Sequence, residues 1–250
     1  MEIVKSNRSN KSKSYYSLLL SLIIFLSLPV NILPQPNTLI EKTKESLRKG
    51  SEYFHSINIK GGYVYYYTPD LKEKWGEGIT NDSTIEVQAP GTPAVGMAFV
   101  TAYKATSDKT YLTYAEDAAD ALIAGQNKYG GWDHKIYFEK NTRQPVVSFD
   151  DNQTQGAIRF LMDLDQLIKN EKLHAAVGRA LDCMIASQWE NGAWPHMYPK
   201  QGNYHDYATF NDAGINDCIN VMMDAYKYYK DDRYLESIKK AAHYIFISQL

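Results

Sequence analysis

The chain has 250 residues, a formal net charge of −2, and is 44% hydrophobic, 22% charged and 13% aromatic. That balance excludes the basic footprint of a nucleic-acid binder. Its two cysteines, Cys183 and Cys218, make no disulfide framework; both fall inside predicted helices, so buried free thiols are expected, with a single bridge, which export would permit, as the alternative.

At the N-terminus a basic stretch, Lys5, Arg8, Lys11 and Lys13, precedes an apolar run from Leu18 to Leu28. This order is the layout of a secretory signal peptide, with an N-terminal anchor as the alternative. The run falls short of the roughly 20 apolar residues of a membrane span. Residues 1–35 are therefore set apart from a single domain over residues 36–250. The expected destination is secreted or periplasmic, with surface anchoring as the alternative and no stable membrane insertion after signal cleavage.

A first helix is expected over 38–56. Three pairs follow: 92–106 with 109–126, 153–169 with 171–188, and 214–230 with 232–249. Leu173, Val177, Leu181, Met184 and Ile185 form one apolar stripe at helical spacing. Breakers such as Ser107-Asp108 and Asp231-Asp232 divide the pairs.

An internal repeat orders these pairs. Gln126-Asn127-Lys128-Tyr129-Gly130-Gly131-Trp132 fits Gln-x-x-x-Gly-x-Trp, and Gln188-Trp189-Glu190-Asn191-Gly192-Ala193-Trp194 fits it again. Ser248-Gln249 begins a third copy, and Ile57 to Tyr63 is a degenerate earlier one. The glutamine suits orphan backbone groups at a helix end, the glycine suits the turn, and the tryptophan packs across it. Helical hairpins at this period cannot bury their apolar faces alone. The expected fold is all-α: repeated helical hairpins forming an incomplete α/α toroid, truncated at the C-terminus.

The loops entering the first helices carry the chemistry. Phe149-Asp150-Asp151 and Phe210-Asn211-Asp212 occupy equivalent places under the repeat. Equivalent loops share a rim, so their acidic tips converge. Clustered carboxylates suit a hard cation such as Ca²⁺, whereas helix N-capping is the alternative use of Asp and Asn here. Long aromatic loops between helices commonly carry binding. They contain His134, His196 and His205 as possible proton carriers, and Lys135 as a partner for a substrate carboxylate.

Five stretches together resemble the family 10 pectate lyases. They are Trp75-Gly76-Glu77-Gly78, Val87 to Gly96, Gly130-Gly131-Trp132-Asp133, Phe149-Asp150-Asp151-Asn152-Gln153-Thr154, and Asn191 to Pro195 with Tyr207 to Asp212. The resemblance implies a toroid-like helical fold and cleavage of α-1,4-linked polygalacturonate by Ca²⁺-assisted β-elimination. It implies that Asp150, Asp151 and Asp212 hold the metal in the active centre, with Asp150 in the catalytic set. The family's Asp-Asn pair stands here as Asp150-Asp151, followed by Asn152. The catalytic arginine of the family falls in a later repeat, beyond residue 250. This chain alone is then expected to bind weakly and to have little or no activity.

On the same account Asn211 hydrogen-bonds sugar, Trp132, Trp194, Tyr198 and Tyr204 offer stacking surfaces, and His196 and Lys135 complete the substrate site. The expected partner is polygalacturonate, met by a monomer. A glycoside hydrolase using Asp150 and Asp212 as acid and base is one alternative. A carbohydrate-binding protein without catalysis is another.

Overall fold

The computed structural model describes residues 36–139 and 143–249. The expectations for residues 1–35 lie outside the described residues. The chain divides into two compact units, Met1–Ser46 and Leu47–Leu250. In the first, the described part is the opening of helix α1 (Pro36–Ser56), where Thr43 Oγ1 donates to Leu39 O at 2.8 Å and Lys44 pairs with Glu41 at 3.2 Å. Among the described residues no helix is long and apolar enough to cross a membrane.

The second unit holds the repeat. Its hairpins are α2 (Thr92–Thr106) with α3 (Lys109–Gly125), α4 (Gln153–Asp165) with α5 (Glu171–Ser187), and α6 (Gly214–Tyr229) with α7 (Asp232–Ile247). The first helices α2, α4 and α6 neighbour one another in order, and the second helices α3, α5 and α7 form the other layer. This is the arrangement of an α/α toroid.

The turns between paired helices follow from capping. Asp108 accepts from the Thr110 amide at 2.9 Å, Asn170 from Leu173 at 3.1 Å, and Asp231 from Arg233 at 2.9 Å. Each side chain satisfies one orphan donor of the helix it opens. Helix α4 stops at Asp165, four residues before the expected end at 169. Asp165 is held by the Tyr229 hydroxyl at 2.7 Å and His174 Nδ1 at 2.9 Å, and the Leu167 amide turns back to Leu164 O. The chain tightens there into a three-residue reach and leaves the helix axis.

The Gln-x-x-x-Gly-x-Trp motif bolts one hairpin to the next. Gln126 Nε2 donates to Gly130 O at 2.8 Å within its own loop and to Ala176 O at 2.9 Å on α5. Gln188 Nε2 does the same with Gly192 O at 2.9 Å and Ser237 O at 3.0 Å on α7. Gly130 has φ +94°, and a Cβ there would meet Arg179 O at 2.3 Å; Gly192 has φ +96° and Lys240 O at 2.1 Å. Only glycine fits such a left-handed turn against a neighbouring helix backbone.

Short strands, absent from the all-α expectation, tie the loops together. β1 (Tyr66–Tyr67), β2 (Lys74–Gly76) and β3 (Gly78–Ile79) form one antiparallel sheet, β4 (Thr84–Glu86) pairs with β5 (Lys135–Tyr137), and β6 (Val147–Ser148) pairs with β7 (Met197–Tyr198). Two or three residues cannot show a period, so hydrophobic patterning is silent about them.

Candidate metal centre

Strand β6 sets Val147 opposite Tyr198, and the Phe149 amide donates to His196 O at 2.8 Å. Phe149 is buried beneath the loop, which fixes where Asp150 and Asp151 emerge. The two acidic loops share their hydrogen bonding. The Asp150 amide donates to Ser148 Oγ at 3.3 Å, and the equivalent Asn211 amide donates to Thr209 Oγ1 at 3.0 Å. They also share a backbone feature. Asp151 and Asn152 have φ of 43° and 56°, and Asp212 and Ala213 have 46° and 58°. Consecutive residues with side chains in this left-handed region are held there at a cost of about 1 kcal/mol or more each.

Neither loop caps its helix. No side-chain cap hydrogen bond forms at Asn152 before α4 or at Ala213 before α6. The carboxylates face one another instead: Asp150, Asp151 and Asp212 each place an oxygen within 4.8 Å of the others. Burial, then the charges of Asp150, Asp212 and Glu77, push the Asp151 carboxyl above its usual range. Gln88 Nε2 donates to Asp151 at 3.1 Å, and Gln153 Nε2 donates to Gln88 Oε1 at 3.2 Å.

Oxygen donors crowded at like charge are the donor set of a hard cation. Nearby, Asn152 Oδ1 and Gln153 Oε1 are buried with no hydrogen-bond partner among the described residues. These residues fit Ca²⁺. His196 stands beside them, its mostly buried ring presenting Nδ1 3.8 Å from Asp150 Oδ2.

A cleft of about 640 Å³ is lined by Glu77, Asp133, His134, Lys135, Arg143 and Met197, among others. His134 is raised above its ordinary value, first by its hydrogen bond with Asp133 at 3.0 Å. Lys135 lines this cleft, but its ammonium is already engaged by Glu86 Oε1 at 3.1 Å and Glu77 O at 2.7 Å. Tyr198 is half-buried against Tyr129, with ring centroids 5.7 Å apart. Tyr204 is exposed and lies edge-on to His196. Asn211 is exposed beside Asp212, and His205 sits 2.8 Å from Asn203 Oδ1.

The expectation that Trp132 and Trp194 stack on sugar is corrected. Their relative exposures are 0% and 2%. Each indole N–H donates at 2.8 Å to a carbonyl of the helix before it, Leu122 O and Met184 O. A ring enclosed on both faces has no surface left for a ligand, and these two belong to the motif's packing. Glu77 and Gln88 stood in the stretches that carry the resemblance but were given no site role, and Glu86 escaped the sequence reading. They reach the site through β2–β3 and β4, elements that leave no period to detect.

Residues 134–224 match the family described as pectic acid lyase. No curated protein matches the chain. Among solved structures, a family 10 polysaccharide lyase from Cellvibrio cellulosa is 24% identical, covering 62% of this chain and 50% of that one, with a TM-score of 0.47. A mutant of the same enzyme in complex with trigalacturonic acid is 24% identical, covering 63% and 51%, with a TM-score of 0.47. A D-mannose isomerase is 15% identical but superposes better, covering 82% of this chain and 50% of that one at a TM-score of 0.57. The chain spans about half the length of these structures. Its fold is that of the α/α toroid enzymes, and all three clustered carboxylates lie inside the segment that matches the pectic acid lyase family.

Proposed function

We propose that the acidic cluster binds Ca²⁺ and polygalacturonate, and that the protein is a pectate lyase. It would cleave α-1,4-linked polygalacturonate by β-elimination and release 4,5-unsaturated oligogalacturonides. One observation carries this reading: two successive repeats deliver uncapped, strained acidic loops whose three carboxylates converge, within the segment matched by the lyase family.

The reaction removes the proton at C5, α to a uronate carboxylate, and breaks the C4–O bond. Asp150, Asp151 and Asp212 would hold the cation. Bound there, Ca²⁺ would offset the negative charge that develops on the uronate carboxylate. The chain's own residues position the sugar. Ser148 and Thr209 fix the loop backbones, and Gln88 holds Asp151 in place. Asn211 presents an amide to a sugar hydroxyl, and Tyr204 presents an exposed ring.

Arg159 pairs with Asp224, Arg179 donates to Gln126, and Arg233 is shared by Asp231 and Asp182. These three are engaged on helices and do not match the catalytic arginine that the resemblance implies, so the proposal assigns the proton acceptor to a later repeat. The chain alone is expected to bind substrate and to cleave little of it. A secretory leader within residues 1–35 agrees with action on an extracellular polymer.

The test has two arms. Calorimetry of this chain with oligogalacturonate, in Ca²⁺ and in chelator, measures binding. Absorbance at the unsaturated uronide band, from a C-terminally extended form on polygalacturonate, measures cleavage. Calcium-dependent binding and a calcium-dependent rise are the expected results. New reducing ends without that absorbance would replace the lyase with a glycoside hydrolase. Binding with no cleavage would leave a carbohydrate-binding protein, and no binding at all would sink the reading.

A further inference from the structure

The stretch Trp75-Gly76-Glu77-Gly78 adds no carboxylate to the cluster beyond the charge of Glu77 felt at Asp151, yet the fold invests in placing it. Tyr66 on β1 stands directly opposite Trp75 on β2. Residues opposite one another in an antiparallel pair project to the same side. Both rings are exposed, Tyr66 by 64% and Trp75 by 37%. Leaving two large aromatics partly in water forgoes burial that a purely structural role would use.

The turn after Trp75 is anchored from below. Glu86 is completely buried, and its Oε1 accepts from the Glu77 amide at 3.1 Å and from Lys135 Nζ at 3.1 Å. A Cβ on Gly76 would lie 1.5 Å from that oxygen, so the strand can approach the carboxylate only as glycine. Burial raises the Glu86 carboxyl above its usual range, with Lys135 opposing it, and Oε2 has no partner among the described residues. A buried carboxylate is costly to keep. Here it holds Glu77 4.0 Å from His134 Nε2, with its charge reaching Asp151. Trp75 is two residues from Glu77, about 7 Å of extended chain. Glu77 lines the cleft, so the aromatic pair stands two residues from its edge.

We propose that Tyr66 and Trp75 form a sugar-stacking subsite for a galacturonate ring of the bound polymer, remote from the cation. The apolar C–H face of a pyranose lies against the rings, as other flat ligands do on exposed aromatic side chains. With Trp132 and Trp194 enclosed in the core, Trp75 is an indole that keeps a face in solvent. The inference rests on polygalacturonate being the ligand.

The test compares trigalacturonate with hexagalacturonate, titrated by calorimetry in Ca²⁺ against the wild-type chain and against Trp75→Ala, Trp75→Phe and Tyr66→Ala. Melting curves check that each variant is folded. The wild type should bind the hexamer more tightly than the trimer. Trp75→Ala and Tyr66→Ala should each weaken the hexamer by about three- to tenfold and leave the trimer unchanged. Trp75→Phe should recover most of the loss. Unchanged hexamer affinity, or an equal loss for both oligomers, would overturn the subsite while leaving the proposed function standing. A wild type that binds neither oligomer would instead remove the function and the subsite with it.

Discussion

Asp151 shows how the cluster trades stability for binding. Its backbone is left-handed, its carboxyl is partly buried, and Asp150, Asp212 and Glu77 all repel its charge. Replacing it with Asn keeps the shape, tolerates the left-handed region and retains an acceptor for Gln88. In chelator, Asp151→Asn should therefore be as stable as the wild type or more stable by about 1 kcal/mol, because one of several like charges is gone. In Ca²⁺ the order should reverse, with the wild-type melting temperature rising and the variant's staying still. Thermal melts in both buffers read this directly, and a variant destabilised in chelator would contradict the account. The Asp pair was legible in the sequence because Phe149 and Phe210 mark the same place in successive repeats. The motif also gave the packing role of Trp132 and Trp194, but it could not exclude a second use in stacking on sugar, since the identical residue type serves either and only burial separates them.

Between elements, the decisive contacts are the glutamine bolts. Gln188 joins the carbonyls of Gly192 and Ser237, so it closes its own turn and grips α7 at once. Gln188→Ala removes both bonds and leaves two acceptors of a partly buried junction without their donor. A loss of about 2–3 kcal/mol is expected, measured as a lower urea midpoint with an unchanged slope. A loss below about 0.5 kcal/mol would mean that water replaces the side chain there and that packing alone joins the hairpins. Six of the seven α-helices among the described residues keep nearly the expected ends because Asp108, Asn170, Asp231 and the breakers beside them act locally. The early end of α4 depends on Tyr229, 64 residues further along the chain, and no local signal carries that information. The strands were missed for the related reason that β4 finds β5 and β6 finds β7 only after the helices have brought their loops together.

Across the second unit, burial is greatest in the middle hairpin and least in the last. Helix α4 has nine buried residues among thirteen, including Ile158, Phe160, Leu161, Met162 and Leu164. Helix α7 has three among sixteen: Tyr234, Ser237 and Ala241. Within it Phe246 is 75% exposed, and Phe210 is 48% exposed while the equivalent Phe149 is 2% exposed. Each fully buried apolar side chain contributes about 1.5–3 kcal/mol relative to exposure. In a stack of repeats, stability is the sum of each unit and its neighbouring interfaces. Helix α7 should therefore open without α4 opening. Hydrogen exchange followed by mass spectrometry should find α7 amides exchanging at least tenfold faster than those of α4, with α5 closer to α4. The gradient bears on the site, because α6 leads out of the Asp212 loop whereas α4 leads out of the Asp150 loop. Calcium bridging the two loops should slow exchange in α6 more than in α4, since the less stable partner has more to gain. Uniform protection of α4 and α7 would instead mean that the hairpins open only as one body, and the additive account of this stack would be wrong.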